Sequence, residues 1–207
     1  MGLLSVIGMA HGWVRQRVQP GDAVIDATLG GGVDARFLAE LVGPRGSLIG
    51  FDVQEEALRR TRERLEPLQA AGRLPARTSL LLQSHGELET AVPPELRGRI
   101  AAVLFNLGYL PGSEDTSLIT TPQTTLPALE AALRVLRPGG ILACVLYPGH
   151  PGGAEEADEV MRWTAGLPAE SAQAAVYRLV QKPSAPYALG IEKKASPTGS
   201  PEPSSFH

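Results

Sequence analysis

The chain reads as an α/β protein built on an open, mostly parallel sheet with helices on both faces. Two observations predict this. Short apolar runs alternate with segments of helical period along most of the 207 residues, the pattern of repeated strand–helix units. The run Val24-Ile25-Asp26-Ala27-Thr28-Leu29-Gly30-Gly31-Gly32 ends in an acid and a glycine turn, and Leu48-Ile49-Gly50-Phe51-Asp52 ends in a second acid about twenty residues on, as in a nucleotide-binding βαβ unit.

The elements follow in order. A first amphipathic helix is expected from Leu3 to Arg17, stopped by Pro20-Gly21. Strand one is Ala23 to Asp26, and the next helix runs from Asp34 to Val42, ending at Gly43-Pro44. Strand two is Ser47 to Asp52, and the charged helix from Glu55 to Ala71 ends at Gly72. Strand three is Thr78 to Leu82 and strand four Ile100 to Phe105. The long loop Asn106 to Thr121 reads as functional, because loops of that length in compact domains usually are. A helix from Pro122 to Leu136, closed by Arg137-Pro138-Gly139-Gly140, leads into strand five, Ile141 to Tyr147. After a helix at Gly153 to Ala165, the runs Ala174 to Gln181 and Tyr187 to Glu192 read as a terminal antiparallel hairpin. One domain is expected over 1–193, with a disordered Pro/Ser-rich tail at 194–207.

Composition narrows the function classes. With 43% hydrophobic residues and a net charge of −3, the chain can bury a core, and no apolar run reaches the roughly 18 residues of a membrane span. Met1 to Ala10 is apolar but lacks the basic flank of a signal peptide. The single cysteine, Cys144, falls in a strand, so a cytoplasmic setting without disulfides is expected. Four scattered histidines and one cysteine make no metal-ligand cluster, so no metal is expected. Arg59, Arg60, Arg62 and Arg64 share one helix, either as a basic patch or as a solvated face.

Two cofactors compete for the glycine turn. A dinucleotide site places spaced glycines before a helix whose N-terminus receives a pyrophosphate. Here the glycines are consecutive, and Asp34 opens the next helix, where it repels a pyrophosphate. The pattern Asp26-x-Thr28-x-Gly30-x-Gly32 instead resembles motif I of the class I S-adenosylmethionine-dependent methyltransferases, a resemblance that implies a cofactor with a sulfonium and an amino-acid moiety but no phosphate. A purely structural turn stays open.

Ligands of open α/β sheets bind beyond the C-terminal ends of the strands. Here those ends deliver Asp26 to Asp34, Asp52, Ser84-His85, Asn106-Leu107-Gly108-Tyr109, and Tyr147 with His150. A packed core does not explain polar residues gathered at one end. For single residues plainer roles stay open: His85 as a helix cap and His150 as a turn residue between Gly149 and Pro151.

Five segments make the pattern specific: Asp26-Ala27-Thr28-Leu29-Gly30-Gly31-Gly32-Val33-Asp34, Phe105-Asn106-Leu107-Gly108-Tyr109-Leu110-Pro111-Gly112, Thr120-Thr121-Pro122-Gln123-Thr124-Thr125, Leu136-Arg137-Pro138-Gly139-Gly140 and Tyr147-Pro148-Gly149-His150-Pro151-Gly152-Gly153. In order and spacing they resemble the rRNA methylase family, similar to bacterial tRNA methyltransferases that convert 5-aminomethyl-2-thiouridine at the wobble position to its 5-methylaminomethyl form. The resemblance runs from Gly21 to Glu192 and departs at Gly31 and Val33, where the family usually has Asn and His. It implies a Rossmann-like class I methyltransferase fold, with a seven-stranded, mostly parallel sheet and an antiparallel C-terminal strand. It implies S-adenosylmethionine held by Asp26, Thr28, Gly30, Gly32, Asp34, Asp52, Val53, Ser84, His85 and Asn106. Gly30 and Gly32 would line the cofactor with backbone only.

By the same resemblance Asn106 orients an amine nucleophile, as in amino-methyltransferases with an Asn/Asp-Pro-Pro-Tyr loop. Tyr109 would stack on the pyrimidine, and His150 or Tyr147 would relay a proton. Gly108, Tyr109, Tyr147 and His150 would face the substrate. The implied partner is tRNA, without a membrane, and a homodimer stays open. Methylation of another RNA or a small amine, or a non-catalytic S-adenosylmethionine-binding module, are the alternatives. The acidic balance favours the small amine mildly, since RNA binding generally draws on a basic face.

Overall fold

The computed structural model describes residues 2–108, 120–182 and 184–195. Seven strands, β1 (Ala23–Asp26), β2 (Ser47–Asp52), β3 (Arg77–Leu82), β4 (Ile100–Asn106), β5 (Leu136–Leu146), β6 (Ala172–Tyr177) and β7 (Tyr187–Lys193), alternate with helices α1 (Val6–Arg17), α2 (Val33–Val42), α3 (Glu55–Ala70), α4 (Leu88–Ala91), α5 (Pro122–Val135) and α6 (Gly153–Ala165). The strands form one sheet in the order β3-β2-β1-β4-β5-β7-β6. Pairings from β3 to β5 are parallel, and β7 runs antiparallel to both β5 and β6.

The burial pattern explains why the strands read as apolar runs. All four residues of β1 are buried, because helices cover both faces of a parallel sheet. Val24 and Leu48 pack with α1, α2 and α3 on one face, whereas Ile25 and Ile49 join the cluster beneath α4, α5 and α6 on the other. Strand order reverses direction between β1 and β4, which opens a crevice at their C-terminal ends.

Four of the differences from expectation have a local cause or fill a gap. Helix α1 starts at Val6 because the Ser5 hydroxyl accepts a hydrogen bond from the Gly8 N–H at 3.0 Å, a side-chain cap. Strand β5 starts at Leu136, which pairs with Ile100 before a register shift, so Pro138-Gly139-Gly140 lies inside the strand rather than ahead of it. Strand β6 is shifted to Ala172–Tyr177 by its pairing with β7. Short helical turns at His85–Glu87 and Pro94–Leu96, with α4 between them, fill the β3–β4 connection that sequence periodicity left blank. The expected tail lies outside the described residues from 196 onward, as does Tyr109.

Candidate active site

A cleft of about 960 Å³ opens at the C-terminal ends of β1, β2, β4 and β5. The structure brings Thr28, Gly30, Asp34, Asp52, Val53, Ser84, His85, Asn106, Gly108, Tyr147 and His150 to its wall. Two expected residues do not line it. Asp26 is wholly buried behind the wall, with one oxygen accepting from the Thr28 N–H at 3.1 Å and Oδ2 without a partner among the described residues. Burial, reinforced by Asp34 and then Asp52, holds its carboxyl well above the usual carboxylate range. Gly32 faces helix α3 instead: a Cβ there would lie 2.7 Å from the Thr61 Cα.

The glycine turn is shaped by backbone hydrogen bonds. Gly30 and Gly32 take positive φ of 49° and 73°, which glycine tolerates and other residues rarely do. The Asp52 carboxylate accepts from the Gly30 N–H at 2.9 Å and the Gln54 N–H at 3.0 Å, so it clamps the turn to the end of β2. Burial raises the Asp52 carboxyl, and these N–H groups pull it part of the way back. A carboxylate offers about four acceptor positions, so room remains for ligand hydroxyls. The Arg64 Nε donates to the Gly31 carbonyl at 2.6 Å, fixing the turn from α3. Arg59, one turn away, is held by Glu56 and Glu63, so the arginines of α3 do not form one free patch.

Deeper in the cleft a chain of polar side chains converges. His11 of α1 lies 2.6 Å from one Asp34 oxygen, and the Asn106 Nδ2 donates to the other at 3.3 Å. The Asn106 N–H donates to the Thr28 hydroxyl at 2.7 Å, tying the ends of β4 and β1 together. Phe37 stacks on the His11 imidazole at 3.8 Å, fixing the ring's plane. Tyr147 lines the same cleft, and burial and the Asp34 charge hold its phenol above its ordinary value. His11 carries no motif, and its partner is 23 residues away, so no sequence signal marked it.

Gly108 and Thr120, the described residues on either side of 109–119, are tied to each other. Gly108 N–H donates to the Thr120 hydroxyl at 2.9 Å, and Thr120 N–H returns to the Gly108 carbonyl at 3.0 Å. The Thr120 hydroxyl donates to Glu156, which also accepts from Thr125 at 2.6 Å and is only 2% exposed. His150 sits beside this bracket, its Nε2 3.5 Å from where a Gly108 Cβ would stand. Thr120 opens one of the five segments that make the sequence pattern specific but carries no assigned role there, and nothing in the spacing of α6 marks Glu156 as pointing inward.

Ser84, rather than His85, caps the turn after β3, its hydroxyl accepting from the Gly86 N–H at 3.1 Å. His85 is 8% exposed, packs edge-on to Phe105, and burial lowers its pKa to about 4. The fold therefore holds it neutral. Below the unfolded value of about 6.5 the unfolded chain takes up a proton that the native state refuses, so this stability is lost as pH falls toward 4. Between pH 7 and pH 5 the wild type should lose about 2 kcal/mol more than a His85→Gln variant in denaturant titrations. Equal losses would mean that His85 is protonated within the fold.

A sheet of this order with a reversed penultimate strand, an acid-clamped glycine turn and a phosphate-averse Asp34 defines a class I S-adenosylmethionine-dependent methyltransferase. The residues fit that cofactor, because the cleft presents a backbone turn without side chains beside an acid with spare acceptor capacity. The chain belongs to the family described as "Putative rRNA methylase", whose model matches residues 48–192. A chloroplastic tRNA (mnm(5)s(2)U34)-methyltransferase of Arabidopsis thaliana is 38% identical over 192 residues, covering 90% of this chain and 68% of the plant protein. A crystal structure of a protein of the same description from Clostridium thermocellum superposes with a TM-score of 0.85 at 33% identity, over 93% of this chain and 100% of the other. A Streptococcus mutans methyltransferase solved in complex with SAH gives 0.79 at 32% identity, over 93% and 99%. Among the described residues no helix is long and apolar enough to cross a membrane.

Proposed function

We propose that this protein methylates the aminomethyl nitrogen of a modified uridine at the tRNA wobble position. The observation that carries this is the Asn106 carboxamide, fixed in the cleft by Asp34 and backed by His11. With its NH2 group turned to Asp34, the Asn106 carbonyl is the end left to accept an N–H from an incoming amine, and it has two lone pairs to do so. That contact orients the nitrogen lone pair, which is the main thing a methyl transfer asks of the protein. Bound S-adenosylmethionine supplies a methyl group on a positively charged sulfur, open to in-line displacement.

An alkyl amine arrives mostly protonated, so a proton must leave the nitrogen. The Asp34 carboxylate, beside Asn106, is the acceptor at hand, and an Nε2–H of His11 at its far oxygen holds the carboxylate in place. Tyr147, held protonated, acts as a hydrogen-bonding wall rather than a base. The Arabidopsis relative supports the choice of tRNA, and the buried thiol Cys144 supports action in a reducing compartment, the cytoplasm.

Asp52, Gly30, Gly31 and Val53 would hold the cofactor, with Asp52 accepting from ribose hydroxyls. Asp52→Ala should raise the S-adenosylmethionine Kd by about 10- to 150-fold in calorimetry, the equivalent of about 1.5–3 kcal/mol for hydrogen bonds to a charged group. An unchanged Kd in a folded variant would leave Asp52 as a turn clamp alone.

The decisive assay incubates the purified protein with labelled methyl donor and tRNA bearing 5-aminomethyl-2-thiouridine, followed by nucleoside mass spectrometry. Label in the 5-methylaminomethyl nucleoside is expected. Label in another nucleoside, or none in any, would overturn the assignment.

A further inference from the structure

A second hollow, of about 580 Å³, lies at the edge of the sheet opposite the cleft. Its position follows from register: Arg77, Ser47, Ala23, Ile100 and Leu136 form one row of partners across β3, β2, β1, β4 and β5. Arg45 stands two residues before Ser47, Arg99 immediately before Ile100, and Arg137 immediately after Leu136. Four guanidinium groups from four separate segments therefore line one concavity.

Only one of the four is neutralised. Arg137 forks onto both Asp22 oxygens at 2.8 and 3.0 Å and donates to the Arg17 carbonyl at 2.8 Å. Asp22, the one acid lining the hollow, is thereby engaged. Arg45, Arg77 and Arg99 are exposed and make no ion pair or side-chain hydrogen bond with any described residue. Cations near helix C-termini can serve the helix dipole, but such a group would reach a terminal carbonyl, as Arg97 does at Val92, 3.1 Å away. These three do not. In a chain with a net charge of −3, three uncompensated forks gathered in one hollow form a local anion site, and guanidinium forks match phosphate geometry.

Resting on the tRNA assignment above, we propose that this hollow binds backbone phosphates of the RNA substrate at a distance from the base being methylated. Six-residue strands place the two ends of the sheet about 20 Å apart, a span that one RNA arm covers while its loop enters the cleft. The site gives an acidic protein the phosphate contacts that its overall charge denies it, and these position the RNA without reading sequence.

The test compares wild type with an R45A/R77A/R99A variant. Affinity for full-length tRNA is measured by fluorescence anisotropy across a series of KCl concentrations, with inorganic phosphate titrated separately by calorimetry. The variant should bind tRNA about tenfold more weakly at low salt. The slope of log affinity against log salt should shrink by about 2, since each lost phosphate contact removes roughly 0.7–0.9. KM for tRNA should rise, with kcat at saturating tRNA and the S-adenosylmethionine Kd unchanged. An identical salt slope in the two proteins would overturn the proposal. So would loss of inorganic phosphate binding without any change in tRNA affinity, which would make the hollow a small-anion site. If wild type binds tRNA in this salt-dependent way yet methylates no uridine in it, the tRNA methylation assignment falls while the phosphate site stands.

Discussion

Replacing Asn106 with alanine should lower turnover by on the order of 10²-fold, while the S-adenosylmethionine Kd stays within about a factor of two. The side chain is aimed by a donor bond to Asp34, not by the glycine turn or by Asp52. Its loss therefore falls on the nucleophile, whose alignment matters in the transition state more than in the bound ground state. The backbone anchor survives, because the Asn106 N–H still reaches the Thr28 hydroxyl. Circular dichroism should confirm an unchanged fold before single-turnover rates are compared. A folded variant turning over at the wild-type rate would reduce Asn106 to a shaping residue and move the catalytic role to His150 or Tyr109.

The polar residues behind Asn106 show why an acidic pocket is tolerated here. Asp34 and Asp52 lie close enough to raise the proton affinity of Asp26, and the three acids are held by different partners. Asp52 is satisfied by backbone N–H groups, Asp34 by an imidazole and an amide, and Asp26 is held above the carboxylate range by burial. Two of the three carboxyls, Asp34 and Asp52, thus line the cleft, while Asp26 stays buried behind its wall. That suits a cationic sulfonium without loading the site with repulsion.

The sheet was legible because strands buried on both faces, such as Ala23–Asp26 and Ile100–Asn106, carry continuous apolar runs with glycine or proline at their borders. The strand ends were legible for a related reason: residues such as Asp52 and Asn106 interrupt an apolar run where no core needs them. Contacts between distant elements were not legible. His11 belongs to a helix whose only visible property is amphipathicity, and its meeting with Asp34 depends on how that helix crosses the sheet. Glu156 reads as one more acid on a charged helix, yet it is buried because Thr120 and Thr125 supply its hydrogen bonds. Strand β5 was shortened in the expectation because proline and glycine signal breaks, whereas a register shift absorbs them.

Gly32 is the sharpest such case, and it yields the largest expected loss of stability. The sequence pattern assigned it to the cofactor, so that valine would obstruct binding in an intact fold. The structure turns that residue toward α3, where a Cβ would meet the Thr61 Cα at 2.7 Å and its side chain at 2.9 and 3.1 Å. The nearest atom is backbone, so no rotamer change relieves the overlap, and Thr61 is itself wholly buried. The φ of 73° adds a second cost of about 1–2 kcal/mol for any residue with a Cβ. Overpacking contributes about 1–3 kcal/mol more. Gly32→Val should therefore destabilise the protein by roughly 2–5 kcal/mol, lowering Tm by about 5–15 °C for a chain of this size. Gly31→Ala provides the control: Gly31 lies in the same turn, has no positive φ, and a Cβ there meets nothing within 4 Å. Its Tm should stay within about 2 °C of wild type, since surface changes away from packed features cost little. If Gly32→Val instead melts like wild type and loses only S-adenosylmethionine affinity, the turn's third glycine serves the ligand, and the packing of α2 against α3 is more pliable than its close contacts imply.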